Sequence, residues 1–148
     1  TIIPFATDEL IVAMNPKHPF ASKKNISIEE LKNLEFIAFE KDIPTRKATD
    51  EILRTADVQI SIVMEFDNVE TVKRALEINA GVAIIPKNTV SNEAERKQLV
   101  TCRLDNGQHI RPLSLIHKKS RMLTPALRSF IEKMKLSPQG SKINAILG

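Results

Sequence analysis

Residues 65–86, EFDNVETVKRALEINAGVAIIP, decide the fold of this 148-residue chain. The apolar run at 82–85 predicts a short strand buried on both faces. The β-branched residues at 58–66 predict another strand, and the segment between the two has apolar residues at helical spacing. A strand, a helix and a strand in so few residues indicate a βαβ unit with parallel strands.

The ends of this helix carry their own signals. Asp67 can cap the first turn, and Glu70, three residues on, completes an arrangement similar to a capping box. Gly81 is expected to supply the left-handed conformation that ends many helices. The helix is therefore predicted from Asp67 to just before Gly81.

Outward from this unit, helix and strand signals alternate. Ser27 and Glu30 form a capping-box pattern, and Thr45 is a plausible N-cap for a second helix. Thr124 before Pro125 predicts the start of the last helix. Further strands are predicted at 9–14, 34–39, 99–104 and 111–117, with a helix at 88–98.

The composition excludes several function classes. The chain has no Trp or Tyr and six Phe, so aromatic platforms for stacking bases are scarce. The net charge of +4 is spread along the chain, which favours a solvated surface over a nucleic-acid patch. The single cysteine, Cys102, lies in an alternating strand pattern and is predicted to be a core residue in a reducing compartment. No apolar stretch reaches the ~20 residues of a membrane span.

Catalytic and metal-binding patterns are missing from the sequence. The three histidines are widely separated: His18, His109 and His117. None has the spacing of a metal site, and no nucleophile elbow, phosphate loop or dinucleotide motif occurs. The acidic cluster of Glu65, Asp67 and Glu70 is better explained by helix capping and strand alternation. We therefore expect no catalytic residues, no metal and no cofactor.

The remaining function is ligand binding, and the two helix starts that follow strands are the candidate binding sites. Asp67 supplies its own helix with an anion. Thr45 and Arg46 instead bring a hydroxyl and a cation beside free backbone N–H groups, which suits a carboxylate or phosphate. Glu40 and Asp42 in the same loop would weaken such a site, and Thr45 acting only as a cap is an equal alternative.

The order of these segments is also informative. Besides residues 65–86, the family-like pieces are NPKHPF at 15–20, ISIEEL at 26–31, FIAFE at 36–40, a Thr-Arg-led helix with Asp50 and Leu53, and TPALRSF at 124–130. Together they resemble the effector-binding region of LysR-type transcriptional regulators. The resemblance covers residues 1 to about 136.

This resemblance implies an α/β fold of the periplasmic-binding-protein-like (type 2) class, with two Rossmann-like lobes. The first lobe would be incomplete and the second complete. The implied divisions are 1–9 for the end of the first lobe and the hinge, 10–110 for the second lobe, 111–136 for the return to the first lobe, and 137–148 for a flexible tail.

The resemblance further implies a ligand-sensing domain, not an enzyme, that binds a small-molecule effector in the cleft between lobes. The effector would be an organic acid or another anion. The domain would assemble as a homodimer or tetramer, lie in the cytoplasm away from membranes, and reach DNA only through a domain absent from this chain. The family's ligand-binding positions fall on Phe5, Ile43, Pro44, Thr45, Arg46, Phe66, Asp67, Asn68 and Val69. Many members have Gly or Ser where Ile43 and Pro44 stand, so this loop is stiffer and more apolar.

Three alternatives remain open from the sequence. The same fold serves solute-binding proteins of transporters. A small enzyme on this scaffold, such as a dehydratase, could use Glu65 or Asp67 as its acid. The fragment could also be an interaction and folding unit that binds no ligand in isolation.

Overall fold

A computed structural model describes residues 1–105, 107–120 and 122–136. The predicted flexible tail at 137–148 lies outside these residues. Internal contacts divide the chain into a larger unit, Glu9–His109, and a smaller unit made of Thr1–Asp8 and the chain from Ile110 onward.

Strands and helices alternate along the described chain. The strands are β1 (Ile2–Met14), β2 (Asn25–Ile26), β3 (Glu35–Phe39), β4 (Ser61–Phe66), β5 (Ala83–Pro86), β6 (Val100–Leu104) and β7 (His109–Ile116). The α-helices are α1 (Pro44–Thr55), α2 (Val69–Glu77), α3 (Ser91–Glu95) and α4 (Pro125–Lys135), with 3-10 helices at Ile28–Asn33 and Lys87–Val90.

The larger unit contains strands of two sheets, one with the order β2-β6-β1-β5 and one formed by β3 and β4. β3 and β4 are parallel, whereas β1 runs antiparallel to both β5 and β6. One isolated parallel bridge, from Phe36 on β3 to Val82 just before β5, links the two sheets and gives the combined order β4-β3-β5-β1-β6-β2. The two strands of the predicted βαβ unit, β4 and β5, are therefore parallel as expected, but β3 lies between them.

The central strands are buried on both faces, as the apolar run at 82–85 predicts. Alternate residues point to two separate apolar layers because side chains change face at every step of a strand. The first layer includes Leu10, Val12, Met14, Phe36, Ala38, Val82 and Ile84. The second layer includes Ile11, Ala13, Ile37, Phe39, Ala83 and Ile85.

Each layer is covered by one helix. α1 contributes Leu53 to the first layer, and α2 contributes Val72 and Leu76 to the second. Cys102 is 2% exposed in the first layer, and its Sγ donates to the carbonyl of Lys23 at 2.9 Å. The prediction that Cys102 is a core residue is confirmed.

The helix starts differ from the sequence prediction by one or two residues. The N-cap of α1 is Ile43, with Pro44 at the first helical position, so the prediction of Thr45 as the cap is wrong. Proline favours the first helical position and forces an extended residue before it. The cap of α2 is Asn68, whose Oδ1 accepts from the Thr71 amide at 2.9 Å. Asp67 as the cap is therefore also wrong.

The role predicted for Gly81 is wrong as well. α2 ends at Glu77, and the left-handed residue after it is Asn79, with φ of 58°. Gly81 has φ of 158°, and a Cβ there would lie 2.5 Å from the carbonyl oxygen of Glu35. The glycine is needed because β3 and the chain entering β5 approach closely, with the Val82 amide donating to the Glu35 carbonyl at 2.9 Å.

Several element boundaries also shift. The capping box of Ser27 and Glu30 is confirmed, but it starts a 3-10 helix. The helix predicted at 88–98 is a 3-10 turn followed by the short α3, and β1 extends well before residue 9. The start of β1 moves by seven residues and the short β2 was not predicted, but the order of the predicted elements is unchanged.

The smaller unit contains the first part of β1, most of β7 and α4. β7 pairs with β1, and the amide of His117 donates to the carbonyl of Thr1 at 3.2 Å. Asp8 and Arg111 form an ion pair at 3.0 Å. The predicted capping of the last helix is confirmed, since Thr124 Oγ1 accepts from the Leu127 amide.

Within the part of the chain that the structure describes, none of the helices has the length and apolar character needed to cross a membrane.

Candidate functional site

Two strand-to-helix corners lie side by side in the larger unit. β3 and β4 are parallel and in register, with Phe39 opposite Phe66, so both strands end at the same edge. The Glu40 amide donates to the Phe66 carbonyl at 2.9 Å and ties the corners together. The structure thus brings together two predicted groups, Ile43–Arg46 and Phe66–Val69, here called the paired corner.

The paired corner has an apolar floor. Ile43, Phe66 and Val69 are partly buried and pack against the second apolar layer. They remain partly accessible, so they can contact a ligand while they help to close the core.

Backbone donors are available at the start of α1. Ile43 provides no side-chain cap, and the first turn has no acidic residue. Pro44 has no amide hydrogen, and within the described residues no acceptor is found for the amides of Thr45 and Arg46. Two N–H groups at the positive end of a 12-residue helix are suited to bind an anionic or carbonyl oxygen.

Arg46 has a different role from the one that its sequence position indicates. Its side chain is 8% exposed, and its Nη1 donates to the Phe39 carbonyl at 2.7 Å and to Glu65 at 3.1 Å. Its Nε donates to Asp50 at 2.9 Å. The guanidinium therefore fastens α1 to the ends of β3 and β4, and it is not a free cation at the helix start.

These partners stabilise the charged form of Arg46. Burial alone would lower the pKa of Arg46, but the hydrogen bonds to Asp50 and Glu65 raise it above its ordinary value. Asp50 could have been predicted as a partner because it is four residues along the same helix. Glu65 could not, because only the pairing of β3 with β4 brings it to Arg46.

The second corner has its own cap. Asn68 occupies the start of α2, and its Nδ2 donates to Asp67 at 2.8 Å. Both side chains are exposed. Asp67 places one negative charge at the rim of the paired corner, which affects any anion that binds there.

The remaining predicted site residue, Phe5, lies on β1 in the smaller unit and is partly buried. Its contact with a ligand stays a prediction, as do those of the residues of the paired corner.

In the described ranges, 1–105, 107–120 and 122–136, no group of three or more His, Cys, Asp or Glu residues is arranged to hold a metal ion.

Comparison with known proteins gives a consistent picture. Residues 1–136 match the family model described as LysR substrate binding domain. A probable RuBisCO transcriptional regulator of Cyanophora paradoxa is 32% identical over 137 residues, which is 90% of this chain and 42% of that protein. One from Synechocystis sp. is 28% identical, over 90% of this chain and 40% of that protein. The chain thus spans less than half the length of these relatives.

Solved structures show the same fold. The regulatory domain of Synechocystis CcmR, in complex with 2-PG, superposes with a TM-score of 0.83 at 25% identity, covering 90% of this chain and 64% of that one. The effector binding domain of QuiR superposes with a TM-score of 0.80 at 18% identity, covering 95% of this chain and 66% of that one. The predicted α/β fold of the type 2 periplasmic-binding class is confirmed.

Proposed function

The chain belongs to the LysR substrate binding domain family, and on that premise we propose that it senses a small-molecule effector for a DNA-binding transcriptional regulator. Its larger unit provides the paired corner as one wall of the effector site. The effector is a small carboxylate or phosphate. Binding shifts the population of the full-length regulator toward one conformation and changes how it contacts DNA.

The free donors at the start of α1 are the observation that carries this proposal. The Thr45 and Arg46 amides lie at a helix start without a capping side chain, beside the partly accessible Ile43 and Phe66. Polar donors above an apolar floor are typical of small-molecule sites. The CcmR regulatory domain, which has the same fold, was solved with 2-PG, so 2-PG is the first ligand to try.

The proposed preference for an anion rests on the backbone amides at the start of α1 and not on the side chain of Arg46. The guanidinium of Arg46 is engaged with Asp50 and Glu65, and these two carboxylates offset its charge, so the proposal does not depend on a contact between Arg46 and the ligand. A ligand bound here would be held by charge-assisted hydrogen bonds from N–H groups and by the Thr45 hydroxyl.

Thermal unfolding with 2-PG and a panel of small carboxylates tests the proposal. An effector at 100 times its dissociation constant should stabilise the protein by about 2.7 kcal/mol. Thr45→Val removes the hydroxyl with little change in volume, and Asn68→Asp keeps a good N-cap while adding a negative charge. Both variants should reduce the shift for an anionic effector.

Thr55→Val at the other end of α1 is the matched control and should keep the full shift, because Thr55 is exposed and far along the helix. The proposed site is wrong if a ligand produces the same thermal shift in both corner variants as in the control. The effector class is wrong if no carboxylate or phosphate stabilises either this chain or the full-length regulator.

We also propose that the domain self-associates through the edge of β4. Among the described strands β4 pairs only with β3, and it exposes Val63 and Met64 at 44% and 40%. A strand edge with exposed apolar side chains is a ready surface for another chain. A cytoplasmic location and DNA contact through a further domain belong to the same proposal.

A further inference from the structure

A second concave surface lies in the larger unit, at β1, β6 and the turn before β2. It is a recess of about 430 Å³ whose walls include Ser22, Lys23, Lys24, Lys87, Thr101 and Arg103. In the strand order β4-β3-β5-β1-β6-β2 it is placed toward β2, whereas the paired corner is at β3 and β4. We call it the basic recess.

Positive charge exceeds negative charge around the basic recess. Four cationic side chains line it. Two carboxylates contact three of these cations: Glu9 is 3.1 Å from Arg103 and 3.8 Å from Lys87, and Glu30 pairs with Lys23. The recess therefore keeps an excess of two positive charges, which raises the local concentration of anions.

The cations also retain unused hydrogen-bond donors. In the described part of the chain the ammonium of Lys24 has no hydrogen-bond or ion-pair partner, and that of Lys87 lies beyond hydrogen-bond distance of Glu9. Arg103 contacts Glu9 through Nε, and its side chain is 51% exposed, so its guanidinium remains accessible to a ligand. The hydroxyls of Ser22 and Thr101 add two neutral donors at the wall.

These donors are held by regular structure. Arg103 and Thr101 lie on β6, which pairs with β1 and β2. The Arg103 amide donates to the Lys24 carbonyl at 3.2 Å, and the thiol of Cys102 donates to the Lys23 carbonyl. The turn that carries both lysines is thereby fixed against β6, so little ordering is needed on binding.

We propose that the basic recess binds a small phosphate dianion, a phosphate monoester or free phosphate, at a site separate from the paired corner. Four cationic side chains and two hydroxyl side chains line a volume large enough for one such group. A dianion would neutralise the two uncompensated charges. The size of the recess favours a small anion over the extended backbone of a nucleic acid.

An NMR titration of the ¹⁵N-labelled protein with inorganic phosphate at constant ionic strength tests this site. The amide signals of Lys24, Thr101 and Arg103 should shift along one saturable curve. Lys24→Gln with Lys87→Gln should weaken binding about 25-fold, at roughly five-fold for each exposed charge. Lys47→Gln with Lys133→Gln removes the same net charge from exposed positions elsewhere and should change binding less than two-fold by the same reasoning.

Parallel titrations with methyl phosphate and a short DNA duplex separate the sources of phosphate. The proposal expects methyl phosphate to act like inorganic phosphate and the duplex to move these signals less. It is overturned if the shifts do not saturate, if both double variants weaken binding equally, or if only the duplex binds. Shifts confined to Thr45 and Val69 would assign the phosphate to the paired corner and would also overturn it.

Discussion

The two units of this chain bury their apolar side chains to different extents. In the larger unit the central strands β1, β3 and β5 supply two continuous apolar layers. In the smaller unit Ile2, Ile116 and Phe130 are 69%, 77% and 51% exposed. On α4 the predicted apolar face buries only Ile131, at 8% exposure. The smaller unit therefore leaves much of the apolar face of α4 in water.

The larger unit thus has two buried apolar layers, whereas several large apolar side chains of the smaller unit are exposed. The assignment of residues 10–110 to one lobe stays a prediction. Substitutions at buried positions of the larger unit should therefore be costly, and substitutions of exposed residues should be nearly neutral in both units.

Gly81→Ala should give the largest loss of stability. The added Cβ would meet the carbonyl oxygen of Glu35 at 2.5 Å, and moving β3 from β5 would disturb both apolar layers. We expect a loss of about 3 kcal/mol in the free energy of unfolding, measured by urea denaturation.

Gly107→Ala is the matched control, because Gly107 also has a positive φ, 118°, but nothing lies within 4 Å of its added Cβ. It should cost about 1 kcal/mol. Equal losses at the two glycines would show that backbone conformation, and not the close approach of β3, makes Gly81 necessary.

Lys73→Met should give the next largest loss, about 2 kcal/mol. Lys73 on α2 contacts Glu93 on α3 at 2.7 Å, with side chains 9% and 16% exposed. Burial alone would lower the pKa of Lys73, but hydrogen bonds to Glu93 and Glu70 raise it. The variant leaves Glu93 without its cation, whereas Lys47→Met at an exposed position should be close to neutral.

The effect of Lys73→Met should depend on pH. The hydrogen bond from Lys73 is the main cause that lowers the pKa of Glu93 from its ordinary value of 4.5. A carboxylate with a lower pKa in the folded state adds stability above pH 4.5 and loses it as the pH falls through the folded value. The difference in the free energy of unfolding between the wild type and the Lys73→Met variant should therefore become smaller in that acidic range. An unchanged gap in urea titrations at pH 7 and pH 3 would contradict this coupling.

Exposed apolar residues should give the smallest changes in stability. Met64→Lys on β4 and Ile116→Lys on β7 should each alter the free energy of unfolding by less than about 0.5 kcal/mol. Sedimentation velocity should show weaker self-association for Met64→Lys and an unchanged assembly for Ile116→Lys. The reverse result would place the self-association surface in the smaller unit and would break the comparison between the units.

Local sequence signals determined the order of strands and helices in this protein. The box of Ser27 and Glu30, the Thr124–Pro125 start and the apolar run at 82–85 act within a few residues, so they predict structure without knowledge of the fold. The family and fold class follow from the same order. The start of α1 was missed because Pro44 takes the first helical position and makes Ile43 the cap in place of the better capping residue Thr45. The start of α2 was missed because Asp67 and Asn68 are adjacent and both cap well.

Tertiary structure decided what depends on residues far apart in the chain. Only the parallel pairing of β3 with β4 joins the two corners and brings Glu65 to Arg46, and only the approach of β3 to β5 explains Gly81. The basic recess likewise combines Lys24, Lys87 and Arg103 from three separate segments. Such contacts are set by packing of the whole sheet, because burial of its two apolar faces fixes which strands are neighbours, and no local pattern in the sequence records that choice.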